Sequence, residues 1–439
     1  MTERDLPTYV VVGGGAGGLE LVTRLGESLG RSGRARIVLV DQFPIHIWKP
    51  HLHEVAAGSL DVGLHRLEYL AQARWHYFEF QLGPLLGIDR TAHTLRIGAV
   101  ADSDGQPMLP ERTLHYDRLV IAIGSQVNTF KIEGAIEHAV GLNSVYDAER
   151  FHQKLLAACM RAETRAANDQ PVEVDIAIIG AGATGVELAA ELRNSSKVMA
   201  TYGLHRMDPK RDVRITVVEG ATRILPGLSE RISTSVGVLL GRMAIDVKAG
   251  ERVTAVRADG VNTASGLFIP ADLVVWAAGL KAPDLLSMLD GLETNHINQL
   301  VVDAQLRTTR SEDIYALGDC AHCAWMGHEG SVPPRAQSAH QQATYLSRLF
   351  RDELRGRSTR PFRYRDFGSL VSLGRSSAVG NLMGGLIGGN LFIDGLIARF
   401  MYKSLYQMHQ LALHGMIKTT LDFIANQLRK ATQPHIKLH

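Results

Sequence analysis

The sequence predicts an α/β fold carrying two parallel βαβ units and a helical C-terminal segment. Three observations predict it. Near the N-terminus a short apolar strand runs into a glycine-rich turn and then a helix. The same arrangement returns 167 residues later. From Leu396 the apolar residues fall at three- and four-residue steps.

The first unit opens with Tyr9–Val12, a strand, followed by Gly13-Gly14-Gly15-Ala16-Gly17-Gly18 and a helix from Leu19. In this G-x-G-x-x-G, Gly13 permits the tight turn, Gly15 lets the backbone approach a pyrophosphate, and Gly18 lets the helix pack against the strand. An anion is favoured there by the unpaired N–H groups and dipole of the helix N-terminus. The strand Ile37–Val40 ends in Asp41, an acid placed to accept hydrogen bonds from an adenosine ribose. In the second unit, Val174–Ile179 is the strand, Gly180-Ala181-Gly182-Ala183-Thr184-Gly185 the turn, and Arg214–Val218 the strand that ends in Glu219. One such turn is weak evidence. Two complete strand–turn–helix–strand–acid units specify two Rossmann-type dinucleotide-binding domains. Glu219 binds a ribose 2′-OH and repels a 2′-phosphate, which favours NADH over NADPH; Arg223 nearby reads as a solvated loop residue.

Bulk properties fit this architecture. A length of 439 residues allows two to three domains. The composition, 45% hydrophobic and 21% charged, is that of a globular enzyme. Glycine, at 43 residues, exceeds the usual ~7%. A net charge of +2 gives no argument for nucleic acid. Residues 391–439 carry a net +4, however, leaving −2 for the other 390, so the tail is a candidate for an anionic surface partner. Met1–Thr8 lacks the apolar core of a signal peptide, and no run reaches the ~18 apolar residues of a spanning helix. The body is expected in the cytoplasm.

A third motif closes the first site. Asp313–Leu317 is a strand ending in Gly318-Asp319, and Leu119–Ile123 (ending at Gly124) and Leu273–Ala277 (ending Ala278-Gly279) are short strands between the units. This order resembles the flavin disulfide-reductase-like proteins. The resemblance implies FAD in the first unit, with Asp319 on the ribityl chain and the short strands linking the domains.

Disulfide reductases carry a cysteine pair after the ribose-binding acid, but Phe43–Glu54 contains no cysteine. Cys320 and Cys323 form a single C-x-x-C beside Asp319, which is weak evidence for metal and reads as a buried small pair. Cys159 falls in an amphipathic helical stretch, Phe151–Ala166, and reads as core. No metal site is expected.

Ala336-Gln337-Ser338-Ala339-His340-Gln341 fits A-Q-x-A-x-Q, the quinone-site pattern of type II, non-proton-pumping NADH:quinone oxidoreductases. Gln337 and Gln341 are i,i+4 and share a helix face, where the resemblance places them toward quinone carbonyls. Gly368–Gly374, Ile397–Phe400 and the ending from Leu405 also resemble this family, over essentially the whole chain. Glu187, seven residues after Gly180, matches a glutamate the family places near the flavin–nicotinamide contact. Lys49, beside Pro50, is expected near the flavin pyrimidine.

The tail reads as two basic helices separated by Gly415. Leu405, Met408 and Leu411/Ala412 stripe the first, and Ile417, Leu421, Ile424 and Leu428 the second. At the end of a quinone-reducing chain they are expected to lie on an anionic lipid surface. The glycine-rich run 380–389 reads as a lip at the quinone entrance or a plain turn.

The expected organisation is an FAD domain at 1–135 and 295–375, an NADH domain at 170–290, a connecting helix at 147–168, and a membrane-anchoring segment at 376–439. Glu187, Gln337, Gln341 and Lys49 are the catalytic candidates. Non-covalent FAD and NADH are held by Gly13, Gly15, Gly18, Asp41, Gly124, Gly318 and Asp319, and by Gly180, Gly182, Gly185, Glu219 and Gly279. The expected place is the cytoplasmic face of the inner membrane, peripherally bound. The native quinone and a homodimer are left open. The rival readings are a soluble NADH-dependent flavoprotein reductase of a redox protein, and a flavin-bound redox sensor.

Overall fold

In the computed structural model, residues 6–168, 172–202, 206–373, 378–383 and 390–430 are described. The first strand, β1 (Thr8–Val12), is buried throughout and leads into helix α1 (Ala16–Leu25). Strands β2 (Arg36–Asp41), β3 (Glu79–Leu82) and β4 (Arg118–Ile121) follow. Then come β5 (Ala139–Gly141), helix α2 (Val145–Ala166), β6 (Val174–Ile179), helix α3 (Ala183–Thr201), β7 (Val213–Glu219), β8 (Ile245–Ala249) and β9 (Leu273–Trp276). The chain returns through β10 (Ile314–Ala316), helix α4 (Ala336–Glu353), strands β11 (Ser369–Ser372), β12 (Ala378–Met383) and β13 (Asn390–Asp394), and helix α5 (Gly395–Lys430).

These strands build two parallel five-stranded sheets of matching design. One has the order β10-β4-β1-β2-β3, the other β5-β9-β6-β7-β8. In each, a glycine turn follows the central strand, the strand on one side ends in the acid, and the strand on the other ends near a glycine. The runs Val10–Val12, Ile37–Val40 and Ile176–Ile179 are apolar without alternation because both faces of such sheets are covered, in the second sheet by helices on one side and by a three-stranded antiparallel sheet (Val253–Arg257, Gly260–Thr263 and Phe268–Pro270) on the other. The outermost strand of the first sheet, β10, comes from chain that has already passed through the second sheet.

Helix α2 is the expected connector. Ser144 and Asp147 form a reciprocal capping box at its start, and Phe151, Leu155, Cys159 and Ala162 line its buried face. The two crossover segments pair with each other, Gln126–Val127 antiparallel to Leu280–Lys281, and the Trp276 indole donates to Asn128 O at 2.9 Å.

Strands β11, β12 and β13 form a small antiparallel sheet. Of the lip expected at 380–389, residues 380–383 end β12 and the remainder lies outside the described residues, as do 374–377 and 431–439. Helix α5 is broken at Gly415 (φ 72°, ψ 173°), where only a glycine is unstrained. Among the described residues no helix is long and apolar enough to cross a membrane.

Candidate functional site

The two glycine turns are superimposable in their sterics. A Cβ on Gly13 (φ 102°) would lie 2.5 Å from Ala122 O, and one on Gly180 (φ 101°) 2.7 Å from Ala278 Cα. A Cβ on Gly18 would fall 1.9 Å from Gly13 O, and one on Gly185 1.9 Å from Gly180 O. On Gly15 and Gly182, by contrast, it would meet nothing within 4 Å. Two glycines of each turn therefore let the chain pack on itself, and the middle one faces open space. Helices α1 and α3 start at these middle glycines without a side-chain cap, so their first N–H groups are available to an anion. The chemistry of each cradle fits a dinucleotide pyrophosphate.

The acids are fixed by the turns they serve. Asp41 accepts from Gly14 N (2.6 Å) and Phe43 N (2.8 Å), while Glu219 accepts from Ala181 N (2.7 Å) and Ala221 N (2.8 Å). Burial pushes the Asp41 pKa up, against the lowering effect of its backbone donors. Arg223 is not a loose loop cation. Its guanidinium donates to Leu225 O, Pro226 O and Leu228 O, which leaves it committed to shaping the loop after Glu219.

Gly318-Asp319 turns out of β10 directly beneath α4. Gln342, buried in that helix, accepts from Gly318 N at 2.7 Å, and Gln299 donates to Asp319 O at 2.8 Å. The half-buried Asp319 carboxylate receives Ser125 Oγ at 2.8 Å, and Ser125 O receives Lys49 Nζ at 2.5 Å. Lys49 thus stands beside Asp319 and next to Gly124 (φ 72°). Burial lowers its pKa, opposed by the Asp319 charge. Gly279 sits in the other crossover, where a Cβ would strike the Phe130 ring.

Glu187, in the second turn of α3, is buried and reaches out of its own unit. Its Oε1 accepts from Ser372 N (3.0 Å), and its Oε2 lies 3.7 Å from His53 Nδ1. His53 Nε2 is in turn 4.0 Å from Oε1 of Glu54, a partly exposed acid. Burial raises the Glu187 carboxyl to about 8, with Glu54 and Glu191 adding to it; burial lowers His53 to about 4. At neutral pH the pair is therefore a protonated acid beside a neutral imidazole, not an ion pair.

This has a measurable sign. Glu187 keeps its proton up to about pH 8 in the fold but only to the ordinary glutamate value of 4.5 in the unfolded chain. The stability it contributes is complete below that lower value and is lost as pH rises through 8. Glu187→Gln, which keeps an acceptor for Ser372 N, should gain on the wild type by up to about 4 kcal/mol between pH 5 and 8.5. Thermal melts at both pH values check this, and a gap independent of pH would contradict it.

Gln337 and Gln341 share one face of α4, and that face meets residues 365–368. Gln337 donates to Gly368 O (3.0 Å) and Asp366 Oδ1 (3.2 Å) and accepts from Phe367 N (3.2 Å). Gln341 exchanges bonds with Arg365, donating to its O at 2.8 Å and accepting from its N at 3.0 Å. Both amides clamp the segment that leads into β11, and through Ser372 to Glu187.

Sequence reasoning missed three groups. Glu20, fully buried in α1, binds Arg24 (2.7 Å), His340 (2.6 Å) and Thr344 (3.3 Å), and so locks α1 to α4. Its signal was an acid amid the apolar run Leu19–Val22. His53 and Gln342 gave no local signal. The cysteines are free and buried, with Cys320 pushed to about 12 and Cys159 and Cys323 to about 11 by burial. Among the described residues no group of three or more His, Cys, Asp or Glu is placed to hold a metal.

The arm of α5 before Gly415 docks on the first unit. His409 and Leu413 are buried, His409 Nε2 lies 3.0 Å from His46 Nε2, and the His409 ring packs on Trp48 at 4.2 Å. Tyr406 packs against His51 at 4.7 Å. The striped residues Met408 and Leu411 instead face outward. Past Gly415, Met416, Ile417, Leu421, Phe423, Ile424 and Leu428 are all exposed.

Comparison with known proteins places this geometry. Residues 7–343 match the pyridine nucleotide-disulphide oxidoreductase family. A type II NADH:quinone oxidoreductase from Haemophilus influenzae is 40% identical over 447 aligned residues, covering 99% of this chain and 100% of that one. Its counterpart from Staphylococcus saprophyticus is 27% identical, covering 91% and 94%. In fold, the chain resembles NDH2 from Plasmodium falciparum in complex with NADH, with a TM-score of 0.79 and 20% identity over 98% of this chain and 100% of that one. The sulfide:quinone oxidoreductase from Aquifex aeolicus is also similar, with a TM-score of 0.71 and 18% identity over 98% and 96%. With its paired nucleotide cradles and near-complete alignment to these enzymes, the chain belongs to the pyridine nucleotide-disulphide oxidoreductases and, within them, to the type II NADH:quinone oxidoreductases.

Proposed function

We propose that the first cradle holds FAD and the second NADH, and that the chain couples NADH oxidation to quinone reduction at a membrane surface. The reaction is that of its family: NADH gives up a hydride, quinone takes up two electrons and two protons, and no protons are pumped. One proton per turnover therefore comes from solvent. The observation that carries the cofactor reading is the duplicated cradle with an open middle glycine, one copy of which is joined to Asp319, Ser125 and Lys49.

The domains divide as 1–135 with 295–375 for FAD and 170–290 for NADH. FAD, when bound, supplies the relay for the electron pair. Gly13, Gly15 and Gly18 form its pyrophosphate turn, Asp41 faces its adenosine ribose, and Asp319 its ribityl chain, with Gly124 and Gly318 giving the backbone close approach. Lys49 places positive charge at that end of the site. On the other side Gly180, Gly182 and Gly185 take the NADH pyrophosphate and Glu219 the ribose, with Gly279 at the crossover. The commitment of Arg223 to three carbonyls supports NADH over NADPH.

Glu187 lies at the junction of the two units and holds a proton at neutral pH. It positions β11 and is placed to pass that proton toward the reacting rings. Gln337 and Gln341 are assigned to the quinone side, where they hold residues 365–368. For either amide to bond a quinone carbonyl directly, it must exchange one of those backbone partners.

The outward apolar residues of α5, with the basic charge of 391–439, make it an amphipathic foot for an anionic lipid surface, reached from the cytoplasmic side. The test of the reading is anaerobic mixing of the holoprotein with NADH, following oxidised-flavin absorbance, and then adding a quinone analogue. Rapid bleaching and rapid return are expected. Bleaching without return overturns the acceptor and points to a protein partner.

A further inference from the structure

The foot is not the only part of the surface that presents apolar and aromatic side chains beside positive charge. The short helix Tyr69–Trp75 belongs to the first nucleotide unit. On its inner side Tyr69, Gln72 and Ala73 are buried, and the Tyr69 hydroxyl donates to Gly14 O at 2.7 Å in the glycine turn. Its outer side carries Leu70 (69% exposed), the exposed Arg74 and Trp75 (52% exposed), and the exposed Tyr77 follows after His76. Leu70 and Arg74 are four residues apart and share a face.

This patch is continuous with α5. Lys418 Nζ stands over the Trp75 ring at 4.4 Å from its centroid, and Lys418 adjoins Ile417, which is 80% exposed. On the far side Arg31 lies over the Tyr77 ring at 5.5 Å. The charges around the patch are Arg31, Arg74 and Lys418 against Glu27 and Asp422; Glu27 is paired with Arg31 at 3.8 Å and with His76 at 3.0 Å, which leaves Arg74 and Lys418 as the basic fringe against Asp422. Tryptophan and tyrosine with flanking lysine and arginine is the composition of a membrane–water interface, where amphipathic rings settle at headgroup level. A basic fringe suits anionic headgroups, each cation being worth about 1 kcal/mol near the surface.

We propose that Leu70, Arg74, Trp75 and Tyr77 form a second lipid contact, in which the body of the enzyme itself enters the headgroup layer of an anionic bilayer beside α5. The inference rests on the reading of α5 as a membrane foot. One helix lying on a surface lets the body swing about it; a second contact fixes the tilt. Because Tyr69 ties the same short helix to Gly14, that tilt is transmitted rigidly to the first nucleotide cradle.

The experiment uses the full-length holoprotein with phosphatidylcholine–phosphatidylglycerol vesicles whose acyl chains are brominated near the headgroup. Co-sedimentation is measured on the same samples. Trp48 and Trp276 are buried and Trp325 is half-buried, so Trp75 is the indole open to bromine. Part of the emission should be quenched on binding, and Trp75→Phe should remove that part while still co-sedimenting. A Leu70→Glu/Trp75→Glu variant should bind about fivefold to tenfold more weakly, with NADH oxidation by a water-soluble acceptor unchanged. Co-sedimentation with no quenching, or with equal quenching in Trp75→Phe, overturns the second contact and leaves the foot standing. Failure to co-sediment overturns both. Burial of the patch between two copies of the chain would shield Trp75 from bromine and also overturns the proposal.

Discussion

Gly182→Val should lower kcat/KM for NADH by on the order of 100-fold while leaving the fold and the bound flavin in place. The reason is the emptiness found there: a Cβ at Gly182 meets no protein atom within 4 Å, so the branched side chain folds freely and stands where a pyrophosphate must approach the α3 N-terminus. Gly185→Val is the instructive contrast. Its Cβ would fall 1.9 Å from Gly180 O, which the backbone can relieve only by moving α3 off β6. That variant should lose stability along with NADH binding. Flavin content, a thermal melt and steady-state kinetics separate the two. Undiminished NADH affinity in a folded Gly182→Val protein would remove the second cradle from the NADH assignment.

Truncation directly after Gly415 should weaken binding to anionic vesicles and reduce turnover with a long-tailed quinone, each at least about tenfold. Oxidation of NADH by ferricyanide should be unchanged. The break in α5 is what makes the cut clean, because the large apolar residues described beyond it are exposed and only Lys418, over Trp75, and the half-buried Thr419 and Ala425 depart from that. Removal of the tail from residue 391 is a poorer test. It also strips away Leu413 and His409, uncovering Trp48 and His46. Loss of one buried leucine alone costs about 2–5 kcal/mol. Full long-tailed quinone activity after the cut at Gly415 would favour a soluble reductase instead.

What was legible in the sequence was whatever is encoded within a few residues. Gly13, Gly15 and Gly18 could be given separate roles from spacing alone, and the sterics of the two turns separate them in the same way. The break at Gly415 was equally visible. What was not legible depends on partners far along the chain. The spacing of Gln337 and Gln341 revealed a shared face, but not that residues 365–368 would cover it, because those residues carry no pattern of their own. Glu187 was singled out by its match to a glutamate of the family, whereas its neighbour His53 lies 134 residues earlier and only the packing of Leu52–Ala56 on the second unit brings them together. In α5 the apolar stripe was visible and the docking side was not. His409 reads as polar in sequence, yet it is buried by stacking on Trp48. Arg223 was misjudged for a related reason: its guanidinium found backbone carbonyls only once the loop had folded around it.

The placement of β10 has a consequence for how the chain matures on the ribosome. The second sheet draws all its strands from residues 139–276, whereas the first lacks its outermost strand until residue 316 has been made. The inserted unit is therefore complete while the enclosing one still exposes the edge of β4. Synthesis from the N-terminus does not mean that the N-terminal unit finishes first. The nascent first unit waits, with one side of its sheet open, until the second has been built and the chain has come back.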